Sequence, residues 1–313
     1  MTLSLKQCLD AFIEDCRSCD YNLGTLAGYR KDINIFIKWA WHQNCLTPSD
    51  VTPDLLEAYQ QYLMNYRTRY NTPLKASTRK TYLMRLKALL NWLSKQGIIE
   101  YSPSESIILP KMVVTLPKVL SVAEMERLLA SVDVHSPYGV RDKAILETLY
   151  STGIRSIEAA NLTPDNIDFD SGWVMIRQGK FKKDRRIPIG DTAMNWLTQY
   201  LNYERPKSKR SKQYTQVFLS VQSHPFTAKG VSALVSRYLK QSGLRKQGGS
   251  HLIRHTMASH MLQNGADIRY IQQMLGHSSL SSTQIYTQVQ DRDLKTEHRA
   301  KHPAKLINEN KLN

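Results

Sequence analysis

Three short stretches carry side chains suited to holding and attacking an anion. Residues 251–260 read HLIRHTMASH and bring together His251, Arg254, His255 and His260. Residues 151–162, STGIRSIEAANL, hold Arg155 and Glu158. Residues 275–287, LGHSSLSSTQIYT, hold His277 and Tyr286. On a helix, positions three and four apart share a face, so His251, Arg254 and His255 would lie side by side. That face has three readings: a metal site, a core helix with incidental histidines, or a cationic pocket for an anion. A divalent ion would sit one turn from a guanidinium, and no carboxylate occurs anywhere in residues 205–266. The stretch also lacks the HExxH order that would place a general base between two histidines. For His251 and Arg254 an anion pocket is the better chemistry, because a guanidinium matches two phosphate oxygens in a fork. His255 and His260 read as core histidines.

These stretches need elements to hold them. The first hundred residues show apolar positions at helical spacing. LKQCLDAFIEDC is one helix. TLAGYRKDINIFIKWAWHQN is a second, with Thr25 as candidate N-cap. A third starts at Thr52, Pro53 and Asp54, with proline in the first turn. A fourth, STRKTYLMRLKALLNWLSKQG, starts at Ser77 or Thr78 and stops at Gly97. Four helices with short connections make a small bundle. The fourth has Leu83, Leu86, Leu90 and Leu93 as its buried stripe. Residues 66–95 hold eight basic side chains and no acid. Arg79, Lys80 and Lys87 stand off the stripe, where a helix can reach phosphates from a major groove.

Residues 101–118, YSPSESIILPKMVVTLPK, have three prolines and no period, and read as a linker. Ser121 to Glu124 is a capping-box pattern that opens a new helix. The expected organisation is a DNA-binding helical domain over 1–104, a linker over 105–118 and a second domain over 119–313. In the second, VRDKAILETLYSTG is a helix ending at Gly153. Trp173-Val-Met-Ile and Arg186-Ile-Pro-Ile flank a basic turn and read as a hairpin, its proline on an edge strand. Further helices are expected near 191–203, 227–242, 250–263, 267–275 and 280–287.

The whole chain has 313 residues, 41% hydrophobic, and a net charge of +16. That supports globular cores, permits two domains and points to a polyanionic partner, most often nucleic acid. Residues 205–266 hold eleven Lys or Arg. The four cysteines include one CxxC pair, Cys16 and Cys19, but Cys8 and Cys45 do not form a second, so idle thiols are preferred to zinc. The start, MTLSLKQCLDAF, lacks a basic stretch followed by an apolar core, and no segment reaches the ~18 apolar residues of a span. A cytoplasmic chain with no membrane partner is expected.

The pieces GIR, HxxR, LGHSS and a tyrosine nine residues after that histidine, in this order, resemble the tyrosine recombinase (phage integrase) family. The ending YTQVQDRDLKTEHRAKHPA looks most like its Xer branch. The resemblance implies a mainly α fold with a small β-sheet. A SAM-like core-binding helical bundle would join an α+β catalytic domain in a C-shaped clamp on duplex DNA. It implies site residues one by one: Arg155 and Arg254 for the phosphate, His251 and His277 beside them, Tyr286 as nucleophile, Lys180 in the hairpin turn, and Glu158 orienting Arg155. The chemistry implied is cleavage and rejoining of DNA through a 3′-phosphotyrosine link. Arg155, Arg254 and His277 would stabilise the five-coordinate phosphorus, His251 would act as base and Lys180 as acid. No metal, ATP or other cofactor is called for. The partners implied are double-stranded DNA with a specific recombination site and a homotetramer on two DNA segments, or a paired recombinase. A small helix near 291–300 would dock on the neighbouring subunit. The role spans integration, excision or resolution of a mobile element, plasmid or chromosome dimer. A type IB topoisomerase would use the same residues for relaxation, and a non-enzymatic DNA-binding regulator would use only the charge and helices.

Overall fold

The computed structural model describes residues 3–112, 117–177 and 184–276. The chain forms two compact units, Met1–Val114 and Thr115–Asn313. Among the described residues the first holds four α-helices: α1 (Leu5–Ser18), α2 (Leu23–Trp41), α3 (Pro53–Asn65) and α4 (Ala76–Lys95). Each buries one apolar stripe. In α1 it is Leu5, Cys8, Leu9, Phe12, Ile13 and Cys16; in α4 it is Leu83, Leu86, Leu89, Leu90 and Leu93. A capping box between Ser4 and Gln7 opens α1, and Thr52 caps α3.

Two helix starts differ from the expectation. The cap of α2 is Asn22, whose side chain accepts the Thr25 N–H at 2.9 Å, so Thr25 is already inside the first turn. Helix α4 begins at Ala76, after Lys75, with no side-chain cap. The stretch read as a linker is also partly built into the first unit. Pro103–Ser106 is a 3-10 turn, Ile107 is buried, and the Ile108 N–H donates to Gln60 Oε1 at 2.9 Å. The prolines hid an apolar anchor. Cys8, Cys16 and Cys45 are buried free thiols and Cys19 is exposed.

The second unit packs seven helices and a small sheet, among the described residues. α5 (Val122–Ala130) opens on the Ser121–Glu124 capping box. α6 (Gly139–Thr152) ends at Gly153 in the left-handed conformation, and the short α7 (Ser156–Ala160) follows. Strands β1 (Ile167–Asp168), β2 (Trp173–Ile176) and β3 (Arg185–Pro188) form one antiparallel sheet in that order. The hairpin is the one the sequence implied. Pro188 pairs opposite Trp173 on edge strand β3, where a missing N–H is tolerated. Strand β1 and helix α7 have too few residues to show a period.

Helix α8 (Asp191–Gln199) runs on through a wider turn to Glu204. Then come α9 (Ala228–Gln241), α10 (Ser250–Gln263) and α11 (Ile268–Leu275). α6 packs on α8 and α10, α7 on α9, and α11 on α10 and β3. α10 is central. Leu252, Ile253, Arg254 and Thr256 through His260 are all buried. Lys180, His277, Tyr286 and the helices expected near 280–287 and 291–300 lie outside the described residues. No helix of the described residues is long and apolar enough to cross a membrane.

Candidate active site

Gly153 ends α6 with φ +63°, and a Cβ there would lie 1.9 Å from Met257 Cε. Glycine takes this left-handed turn without the strain a side chain would bring. It turns the chain so that Ile154 is buried and Arg155 stands at the start of α7. The Glu158 carboxylate, one turn on, accepts the Arg155 backbone N–H at 2.7 Å and its Nη1 at 3.0 Å. Arg155 Nη2 donates to the Gly276 carbonyl at 3.1 Å. Arg254 enters from α10 and is 3% exposed. Its Nη1 donates to the Gly153 carbonyl at 2.6 Å and its Nη2 to the Leu275 carbonyl at 2.5 Å.

The C-terminus of α11 is thus an assembly point. Its last carbonyls carry the negative end of the helix dipole, which favours cations. Gly276 closes α11 with φ +61°, and the chain passes from it straight into His277. Arg155 and Arg254, 99 residues apart by their numbers, therefore hold consecutive carbonyls one and two residues before that histidine.

His251 is the exposed residue of the otherwise buried first turn of α10. Partial burial, then the charges of Arg254 and Arg155, hold its imidazole below the ordinary value. The ring is neutral at physiological pH and has both cations within electrostatic reach. Its centroid is 6.4 Å from that of His255. Burial, with His251 and Arg254 beside it, pushes His255 down to about 4. His260 is a core histidine as expected. Its Nε2 lies 2.9 Å from the Leu120 carbonyl and its Nδ1 2.9 Å from Tyr150 Oη. A carbonyl only accepts, so Nε2 carries the proton and Nδ1 accepts from the tyrosine.

The structure brings Arg155, Glu158, His251 and Arg254 into one cluster. Arg79, Lys80 and Lys87 stand on α4 in the first unit, each half-buried. Their neighbour Arg85 is turned inward. It pairs with buried Asp32 and lies over the Tyr29 ring. Several cations of residues 205–266 are likewise spent inside the second unit. Arg205 donates to the Ser211, Tyr214, Gln216 and Val217 carbonyls, Arg237 pairs with Asp142, and Lys246 pairs with Glu124.

One residue of the cluster escaped the sequence reading. Arg185 on β3 donates Nη1 and Nη2 to Glu158 Oε1 and Oε2 at 2.9 and 2.7 Å, and Nε to the Met274 carbonyl at 2.9 Å. Strand alternation was the available signal. Arg185 is two residues before buried Ile187 and so shares its inward face, whereas Arg186 points out over Trp173. An inward arginine needs a partner. Burial alone would raise the Glu158 carboxyl. The hydrogen bonds and charge of Arg185, then those of Arg155, outweigh it and hold the group at about 2.

The sequence profile of the Phage integrase family matches residues 118–293, and that of the Phage integrase SAM-like domain matches residues 4–108. Tyrosine recombinase XerC 2 of Ralstonia nicotianae is 39% identical over 311 residues, covering 99% of this chain and 89% of that protein. Tyrosine recombinase XerD of Listeria innocua is 35% identical over 282 residues, covering 89% and 92%. Among solved structures, XerA recombinase is 25% identical with a TM-score of 0.54, covering 95% of this chain and 99% of that one. A lambda integrase dimer bound to a COC′ core site shares the fold, with 20% identity and a TM-score of 0.69 over 93% of this chain and 97% of that one.

Proposed function

The chain belongs to the phage integrase family, and from that premise we propose that Arg155, Arg254, His251, His277, Lys180 and Tyr286 are its catalytic set. It is a tyrosine site-specific recombinase of the Xer-like branch, which cleaves and rejoins duplex DNA through a 3′-phosphotyrosine intermediate. One observation carries the residue assignment. Arg155 and Arg254 converge from distant segments on the two carbonyls that precede His277, with His251 inside their field.

The steps follow from the residue types. The Tyr286 oxygen attacks the scissile phosphorus and its proton passes to neutral His251. Negative charge grows on the two non-bridging oxygens, where Arg155, Arg254 and His277 hold it. The bond from phosphorus to the 5′ oxygen breaks, and Lys180, in the segment between β2 and β3, gives that oxygen a proton. In the reverse step a 5′ hydroxyl of another strand attacks and returns its proton to Lys180, and Tyr286 leaves with the proton from His251. The bond energy stays in the phosphotyrosine, so rejoining calls for no ATP.

We assign DNA binding to the helical unit, with Arg79, Lys80 and Lys87 toward phosphates, and the chemistry to the second unit. The assembly proposed is a homotetramer on two DNA segments, or a pair with a second recombinase, each site a specific sequence. A lambda integrase tetramer of like fold has been captured on a Holliday junction. Because DNA is the substrate, we place the protein in the cytoplasm.

The test begins by mapping covalent adducts on genomic DNA to find the site. A nicked suicide duplex carrying that site should then trap wild-type protein covalently. Tyr286→Phe should give no adduct; an adduct that persists removes Tyr286 as nucleophile. Exchange of strands between two duplexes, beyond relaxation of one circle, is the expected product.

A further inference from the structure

The pair Arg155 and Glu158 poses an electrostatic difficulty. Glu158 is ionised, its side chain is only 6% exposed, and it touches the guanidinium that the reaction needs for phosphate. Alone, the two charges sum to zero. A neutralised guanidinium is a weak ligand for a second anion, most of all in a partly desolvated site where charge is felt strongly.

Arg185 removes the difficulty. Each Glu158 oxygen is shared. Oε1 accepts from Arg155 Nη1 at 3.0 Å and Arg185 Nη1 at 2.9 Å. Oε2 accepts from the Arg155 backbone N–H and Arg185 Nη2, both at 2.7 Å. The fork from Arg185 is the geometry in which a guanidinium binds a carboxylate best. Its remaining bond, from Nε, goes to the Met274 carbonyl at 2.9 Å. Met274, Leu275 and Gly276 are therefore held in turn by Arg185, Arg254 and Arg155. The close approach is built in: a Cβ on Gly276 would lie 3.0 Å from Arg185 Nε.

We propose that Arg185 is a positioning residue of this recombinase: by pairing with Glu158 it leaves the charge of Arg155 available to the scissile phosphate. This rests on the reading of Arg155 as a phosphate ligand. The Glu158 carboxylate then acts as a rigid hinge between two guanidiniums, one spent on structure and one on substrate. β3, α7 and α11, which belong to three separate segments of the second unit, are fixed to one another at this point.

The experiment measures strand cleavage and duplex binding by the full chain, for wild type, Arg155→Ala, Arg185→Gln, Glu158→Gln and the double variant Glu158→Gln/Arg185→Gln. Arg185→Gln leaves Glu158 to neutralise Arg155, and cleavage should fall about 30-fold, with the duplex Kd within about twofold. The double variant removes the offending carboxylate as well, and should recover to within about fivefold of wild type. A merely structural arginine predicts the opposite, a double variant at least as slow as Arg185→Gln. Wild-type cleavage by Arg185→Gln, or a double variant as slow as it, overturns the proposal. If thermal melting shows that Arg185→Gln does not fold, the neutral double variant decides. Cleavage within about tenfold of wild type then upholds the proposal, and a greater loss overturns it. Slow Arg155→Ala with fast Arg185→Gln sinks the role of Arg185 alone. Wild-type cleavage by Arg155→Ala sinks the phosphate reading on which it rests.

Discussion

At the scale of single residues, His251 and Gly276 make the site's demands measurable. Burial and then the two arginines lower the His251 pKa, so the proposed base is neutral above a value that itself lies below the ordinary ~6.5. The cleavage rate should be flat across pH 7 to 8 and should fall only as pH drops below that lowered value. A fall beginning above about pH 7 in a pH–rate profile would remove His251 as base. His255 carries a stability consequence of the same sign. Its folded value is about 4 against ~6.5 unfolded, so the unfolded chain binds more protons between the two. Stability is full above about 6.5 and is lost as pH falls toward 4. Urea midpoints at pH 7 and pH 5 should differ less in His255→Gln than in wild type. Gly276→Ala puts a side chain at φ +61° and against Arg185. It should cost at least about 1 kcal/mol in denaturant unfolding and slow cleavage, since α11 could no longer end in place.

At the scale of elements, α4 divides its cations by face. Arg85 faces into the bundle, paired with Asp32 at 5% exposure, and Gly28 leaves room for it, since a Cβ there would lie 2.6 Å from its Nη2. Lys87, two residues on, lies on another face. Arg85→Ala strands a buried carboxylate and should destabilise the chain by about 2–4 kcal/mol in chemical unfolding. Lys87→Ala should leave the midpoint nearly unchanged. It should instead weaken duplex binding on all sequences and lower the salt slope by about one ion. Equal effects of both variants on stability would contradict this division. Elements were also where sequence reading succeeded or failed for plain reasons. The Ser121 capping box, the Gly153 stop and the α4 leucines are local signals that act within one or two turns. α7 and β1 are too short to repeat anything, and the Asn22 cap competed with Thr25 three residues away.

At the scale of the whole molecule, each unit has its own hydrophobic core, and Ile107 belongs to the first. A fragment of residues 1–114 should melt cooperatively as a helical unit and bind duplex DNA in a salt-dependent way without cleaving it. A fragment that remains unfolded by circular dichroism would show that the first core is insufficient alone. By itself the sequence determined the residue types of the site, the order of most helices, the hairpin and the excess of positive charge. These follow from periodicity, caps and composition, which need no knowledge of distant partners. The tertiary structure alone decided which cations are spent on ties within their own unit. Arg85, Arg205 and Arg237 add to the positive charge of the sequence, and in the structure each is tied to groups of its own unit. Arg185 looks like one more basic residue of a turn and proves to share Glu158 with Arg155. The reason is physical. A buried charge is fixed by the carboxylates and carbonyls within about 3 Å of it, and folding brings those from segments some hundred residues apart to the end of α11.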